Sequence, residues 1–428
     1  VDIARDEHLE QMNRDFLAVS DTYTGTLTKD PFPILAELRE TEPVMQGDVL
    51  AKFHVPSQAD YANSGRPVMT VLRYDDVLAI LRDAENWKSS LMADGFGAAV
   101  DNLLLTAMDD AEHKKYRSLL QPAFLMPVIK RMTDTVIKPN IEVLLEPLRA
   151  RGKADLVPEF SLPFPVRVVY AVLGFPADSD TVMKLASWAL RILGGPQIDP
   201  AKAAVTYPAA MDAGQRLFEH VLPIVRARRE TPTGHEDLIG FMQTVDVDGK
   251  RFTDEEITHL VRMLLLAAAE TTSRTFSNMI IMLLERPDVL DKVRSDRKLI
   301  PRALTETMRL DPVAGNLARI AAKDMEVRGT VIPKGTAVTL SISAANRDPE
   351  AYERPDELWL ERPLRPVLSF GFGPHICMGM HIARIEMEAA LDMVLDLPNL
   401  RFDPAYPQPA IRGLQLRGPD ALHVLWDA

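Results

Sequence analysis

Residues 369–384 read SFGFGPHICMGMHIAR. The only cysteine of the chain, Cys377, stands in a loop with Gly371, Gly373 and Gly379, immediately before a stretch patterned as a helix. Glycine carries no Cβ, so its backbone reaches positive φ and can approach a flat ligand or a sulfur closely. A cysteine at a helix N-terminus is favoured as thiolate, because the dipole and the free N–H groups stabilise the anion. Three chemistries fit these residues: a small buried hydrophobe, a nucleophile with His375 as base, and an axial thiolate on haem iron. A phosphate-binding glycine loop does not fit. GFGPHI lacks the third glycine of G-x-G-x-x-G, and neither a strand nor a ribose-binding acid is suitably placed.

Around this loop lies a chain of 428 residues, 46% apolar and 26% charged. That is enough apolar sequence for a large core without disulfide staples, and a single cysteine cannot form an internal disulfide. The 32 prolines are scattered, so they read as turns and helix stops. A net charge of −12 lacks the overall basic footprint of a nucleic-acid binder. The longest apolar run, Met263–Ala269, has seven residues, against the ~20 of a membrane span. The first residues, VDIARDEHLEQMNRDF, contain no apolar signal region. A cytoplasmic protein is expected, with no nucleic-acid or membrane partner.

No internal repeat or polar linker divides the chain. Periodicity predicts helices at 111–125, 128–150, 178–193, 207–229, 253–285, 298–310 and about 378–396, with a further one opened by proline in 30–44. Strand signals gather in 325–343 and near 400–428. The expected fold is mainly α, one domain over 1–428, with a β-rich part from about 40–75 and 320–428 and a helical part over about 76–319. In 253–285, Thr253 and Glu256 fit a capping box. Glu270, Thr271 and Thr272 interrupt its apolar stripe. A polar patch at a helix contact explains this, and so does a buried proton relay.

FGFGPHICMG (370–379), continuing into Ile382, Ala383 and Arg384, resembles the haem-binding loop of the cytochrome P-450 family, F-G-x-G-x-H-x-C-x-G with a following L/I-A-R. The resemblance implies further features, and the sequence has them in order. ETMR (306–309) would be ordinary as an i,i+3 ion pair on a solvated helix. In the family, Glu306 and Arg309 would form a buried structural pair completed by Arg362, from ERPDELWLER, where Leu358 replaces the usual phenylalanine. His113 and Arg117 share one helix face; beyond a solvated basic face, the family reading makes them propionate donors, with Arg319 and His375. AAAETT (267–272) resembles the oxygen-groove motif, with Ala268 where glycine is usual. NRDP (346–349) is a further marker.

The resemblance implies the fold of that family, with haem between the long central helix and the cysteine loop. It implies haem b held by Cys377 and lined by Phe370, Gly371, Gly379 and Ala267, with O2 as co-substrate. The reaction implied is insertion of one oxygen atom into a small hydrophobic substrate. Thr271 and Glu270 would handle protons at the distal face. Electrons would come from NAD(P)H through a ferredoxin or flavodoxin and its reductase, docking where Lys114, Lys115 and Arg384 meet acidic groups. A monomer is expected. By family position the substrate pocket draws on Met92, Phe96, Met263, Leu266, Ala267, Gly315, Asn316, Ile411 and Leu414, with Asn316 or Arg412 available to one polar group. Two other classes compete: a non-oxygenating haem-thiolate protein (peroxide-driven enzyme, nitrogen-oxide reductase or gas sensor), whose relatives often lack the acid–threonine pair, and a haem-free thiol enzyme or binding module using Cys377 and His375.

Overall fold

The computed structural model describes residues 3–27, 30–57, 59, 65–91, 105–175, 179–232, 237–246 and 249–428. The helices are α1 (Ile3–Thr24), α2 (Phe32–Thr41), α3 (Tyr74–Arg82), α4 (Asp110–Leu120), α5 (Met126–Met132), α6 (Lys138–Arg149), α7 (Pro163–Leu173) and α8 (Ser179–Leu193). They continue with α9 (Pro200–Glu230), α10 (Leu238–Thr244), α11 (Asp254–Leu284), α12 (Pro287–Ser295), α13 (Ile300–Leu310), α14 (Ile342–Ala345) and α15 (Met380–Val394). The strands are β1 (Val44–Gln46), β2 (Val68–Val71), β3 (Trp87–Lys88), β4 (Lys153–Asp155), β5 (Asn316–Ala321), β6 (Met325–Val327), β7 (Thr330–Ile332), β8 (Ala337–Ser341), β9 (Arg401–Phe402) and β10 (His423–Leu425).

α11 is the axis. Thr253 caps it as expected: the Glu256 N–H donates to Thr253 Oγ1 at 3.1 Å, and the Thr253 N–H donates to Glu256 Oε2 at 2.9 Å. Ile257, Leu260, Val261 and Leu265 are buried in helical register, and α7, α8, α9, α13 and α15 pack around the helix. Below it, Phe160, Phe164 and Phe276 meet with ring centroids 5.3–5.6 Å apart.

The main sheet runs β1-β2-β8-β5-β3, and only the β2–β8 pair is parallel. It brings residues 44–46 and 68–71 beside 316–341, so the β-rich part is built from both ends of the sequence, as the patterning suggests. Four elements depart from it. β4 lies inside the stretch expected to be helical and pairs with β10. α1 buries Met12, Phe16 and Val19. α7 is covered all round, so FPVRVVYAVL has no polar face to reveal its period. α9 starts at Pro200, seven residues before the expected point, because Asp199 caps it through the Ala201 N–H at 2.8 Å.

Candidate active site

Although α11 is central, Ala267 is exposed and Met263 and Thr271 are half-buried. Spaced by four, these three share one face of the helix, and that face is left uncovered. Thr271 Oγ1 donates to Ala267 O at 2.8 Å, and Thr275 Oγ1 donates to Thr271 O at 2.8 Å. Such back-bonding loosens and bends a helix.

Glu270 is fully buried. Its Oε1 accepts from Arg274 Nε, and Oε2 has no partner among the described residues. Burial pushes its pKa up, against the pull of the Arg274 charge. The carboxylate is bound to Arg274 and not to Thr271, and it does not itself meet solvent. One position on, Thr272 bonds to Glu386 of α15. Glu386 is 1% exposed, its Oε2 is unpartnered, and burial raises its pKa well above the usual carboxylate range. An acid on an amphipathic helix ordinarily reads as solvated, so nothing in the sequence marks Glu386.

On the cysteine side, 310 turns at Leu368–Phe370 and Gly373–His375 shape the loop. The Cys377 N–H donates to Phe370 O at 2.8 Å. Gly371 and Gly373 sit at φ +69° and +73°. A Cβ at Gly373 would lie 2.4 Å from Leu81 O, so only glycine lets the loop cross the end of α3. Gly379 has ordinary φ, and a Cβ there would touch the Cys377 sulfur at 3.9 Å. The N–H groups of Gly379 and Met380 and the charge of Arg117 favour the thiolate, while surrounding protein pushes the thiol's pKa up. Cys377 nevertheless remains exposed, as a sulfur on the floor of a cleft would be.

Four cationic or basic side chains flank this floor. The Arg117 guanidinium donates to Ile376 O at 2.7 Å, tying α4 to the loop. His113 and His375 rings lie 4.0 Å apart. Burial and the neighbouring cations hold the His375 pKa down to about 3 and lower that of His113, so both rings are neutral at pH 7. Arg319 is 7% exposed and donates to Ala318 O at 2.7 Å. Burial lowers its pKa to about 10. Among the described residues, no carboxylate hydrogen-bonds to Arg319, Arg117, His113 or His375, and His113 Nε2 is buried without a partner. Asp109, 3.9 Å from His375 Nε2, is the carboxylate whose charge acts on the cluster, and its oxygens accept from the Ser89 and Ser90 N–H groups. Two arginines against one carboxylate leave the cluster short of negative charge, which fits a ligand that brings carboxylates. A cavity of about 540 Å3 opens beside it, lined by His113, Lys114, Arg117, Gln121 and His375.

Behind the loop, Glu306, Arg309 and Arg362 come together, 4%, 0% and 5% exposed. Arg309 donates Nε and Nη2 to the two Glu306 oxygens at 2.9 and 3.0 Å, and Arg362 Nε reaches both at 3.1 and 3.0 Å. The Trp359 N–H adds a fourth donor, and a fifth hydrogen bond, at 3.2 Å. Asn346 links this region to the loop: its Nδ2 donates to Ser369 Oγ at 2.9 Å and its Oδ1 accepts from the Leu368 N–H at 3.0 Å.

The expected pocket residues divide. Met263 and Ala267 lie on the uncovered face of α11, and Ile411 is half-buried. Leu266 (4% exposed) and Leu414 (1%) are covered by core contacts and present no open face. Asn316 is buried and its Nδ2 donates to Leu414 O at 3.3 Å. Gly315 lies where a Cβ would meet Leu414 O at 2.5 Å. Arg412 pairs with Asp420. Met92 and Phe96 lie outside the described residues. Of the residues expected to meet a redox partner, Lys114 is exposed and Lys115 lies 3.9 Å from Glu256. Arg384 is half-buried, donates to Thr305 Oγ1 at 2.6 Å and lies 3.9 Å from Glu388, so its guanidinium bridges α15 to α13.

A family model described as Cytochrome P450 matches residues 197–415. Pulcherriminic acid synthase of Bacillus subtilis is 30% identical over 98% of this chain and 100% of that protein. Nocardicin C N-oxygenase of Nocardia uniformis is 31% identical over 85% of this chain and 90% of its own length. The crystal structure of CYP109E1 from Bacillus megaterium in complex with testosterone superposes with a TM-score of 0.79 at 25% identity, covering 94% of this chain and 100% of that one. No helix among the described residues is long and apolar enough to cross a membrane. With the cysteine loop, the uncovered face of α11 and these relatives in hand, the chain belongs to the cytochrome P450 family and is a monooxygenase.

Proposed function

We propose that the protein inserts one oxygen atom from O2 into a compact hydrophobic substrate held between α11 and the cysteine loop. The observation that carries this is that two otherwise buried elements each leave chemistry-bearing residues open, Cys377 on the glycine loop and Met263, Ala267 and Thr271 on α11. Haem b, when bound, supplies the iron at which O2 is activated, and a thiolate ligand favours O–O cleavage. Cys377 is the ligand, with the Gly379 and Met380 N–H groups tempering its charge. Arg117, His113, Arg319 and His375 hold the propionates. Phe370 and Gly371, which shape the cysteine loop, and Ala267, on the open face of α11, would line the group.

Thr271 holds a water at the distal face. Its hydroxyl now donates to Ala267 O, leaving its lone pairs to accept. Glu270 gates protons: buried, and with Oε2 free, it can hold a proton and release it when its carboxyl turns from Arg274. Electrons come from NAD(P)H through a ferredoxin or flavodoxin and its reductase, with Lys114 at the docking face. The test is Thr271→Ala, assayed for haem content and for the ratio of peroxide formed to O2 consumed. We expect unchanged haem, a higher peroxide share and product formation lowered by about a hundred-fold. A variant with the wild-type peroxide ratio refutes the relay.

A further inference from the structure

Arg274 is 1% exposed and occupies a place built for it. Nε donates to Glu270 one helical turn back, and Nη2 donates to Ser20 Oγ of α1 at 2.8 Å. The guanidinium stands 4.3 Å from the centroid of the Phe16 ring, also on α1. Opposite, a Cβ on Gly418 would lie 2.9 Å from both Cβ and Cγ of Arg274, so that loop passes only because it is glycine. A buried cation needs acceptors and a polarisable face to offset lost hydration, and α1 supplies one of each.

α1 is itself fixed from elsewhere. Asp15 accepts from Ser187 Oγ and, at 3.0 Å, from Arg191 Nε of α8, while Tyr23 OH donates to Leu193 O at 3.2 Å. Around Glu270, Arg274 is the charged group that acts on it; α1 presents the neutral Ser20 and Phe16, and the loop presents Gly418. A guanidinium held still on its far side cannot follow the carboxyl, so turning toward Thr271 breaks the ion pair outright.

We propose that the N-terminal helix α1 takes part in proton delivery: Ser20 and Phe16 position Arg274, and Arg274 sets when Glu270 releases its proton. This rests on the reading of Glu270 as the proton gate. Ser20, Phe16 and Arg274 are positioning residues, since none of them belongs to the uncovered face of α11.

The test follows the protonated Glu270 carboxyl by infrared difference spectroscopy of the haem-loaded protein, its band assigned by loss in Glu270→Gln. Ser20→Ala, Phe16→Leu, Arg274→Met and Arg274→Lys are titrated, and peroxide formed per O2 consumed is read in turnover without added substrate. We expect Arg274→Met to retain the band to higher pH, Arg274→Lys to restore most of the wild-type midpoint, and Ser20→Ala and Phe16→Leu each to move it upward and raise the peroxide share. If both α1 variants superimpose on wild type while Arg274→Met shifts, the role of α1 is overturned. If Arg274→Met superimposes as well, Arg274 sets nothing. If Glu270→Gln leaves the peroxide share unchanged, the gate reading fails and the proposal falls with it, even where the infrared midpoints move.

Discussion

Replacing Arg309 with methionine removes the cation at the centre of the Glu306–Arg309–Arg362 cluster while filling similar space. Glu306 then keeps Arg362 and the Trp359 N–H but loses both bonds to Arg309, at 2.9 and 3.0 Å. The carbonyls of Asn346, Pro355 and Glu357 lose a donor as well. Breaking a buried pair from one side costs about 3–5 kcal/mol, and the stranded carbonyls place this variant toward the upper end. The folded-to-unfolded ratio should therefore fall by a factor of roughly a hundred to several thousand. Against a domain stability of roughly 5–15 kcal/mol, such a variant folds but with much of its margin gone. Urea titration followed by far-ultraviolet circular dichroism, with the slope checked against wild type, measures the loss. Arg309→Lys keeps the charge but not the fork, and should lose about 2 kcal/mol. An Arg309→Met midpoint within about 1 kcal/mol of wild type would refute the reasoning, since it would make this cluster no stronger than a surface ion pair.

Gly373→Ala meets both positive φ and the Leu81 carbonyl; we expect a loss of about 2–4 kcal/mol, seen as a lower melting temperature and weaker haem retention. Glu386 keeps its proton in the folded chain at pH values where the unfolded chain releases it, so its contribution weakens stability as pH rises above the unfolded carboxyl pKa. Glu386→Gln removes that dependence and should gain on wild type in urea midpoint at pH 8 more than at pH 5. Lys114→Glu should slow reduction by an added ferredoxin about ten-fold at low ionic strength, with the difference closing toward 1 M salt, where the Debye length is about 3 Å. Stopped-flow rates that do not depend on salt would argue against docking at Lys114.

The parts of the molecule legible from its residues are those with strict local chemistry. The cysteine loop is legible because positive φ and close approach admit only glycine at 371 and 373, and α11 because Thr253 and Glu256 cap it reciprocally. The Glu306 cluster is legible only through its family spacing, since an i,i+3 pair says nothing of burial. α1 carried a usable signal, Leu9, Met12, Phe16, Val19 and Tyr23 at helical intervals, hidden under its charge. Arg274 and Glu386 carried none. Each is a charged residue in a helix, and its burial depends on what a distant segment places against it: Ser20 of α1 for one, Thr272 of α11 for the other.

The pairing of β4 with β10 joins Asp155 to His423, 268 residues along the chain. Closing a loop of that length costs about 5 kcal/mol of chain entropy, and the parallel β2–β8 pair, Val68 with Ala337, demands a closure of nearly the same span. The main sheet cannot assemble until β8 (Ala337–Ser341) has been made, and the smaller one not until β10 (His423–Leu425) has. The helices from α4 to α11 are free to dock before then, whereas the strands that anchor β5, and with it Arg319, must wait. Synthesis thus presents a helical body with an open seam, which closes only once β8 and then β10 have joined it.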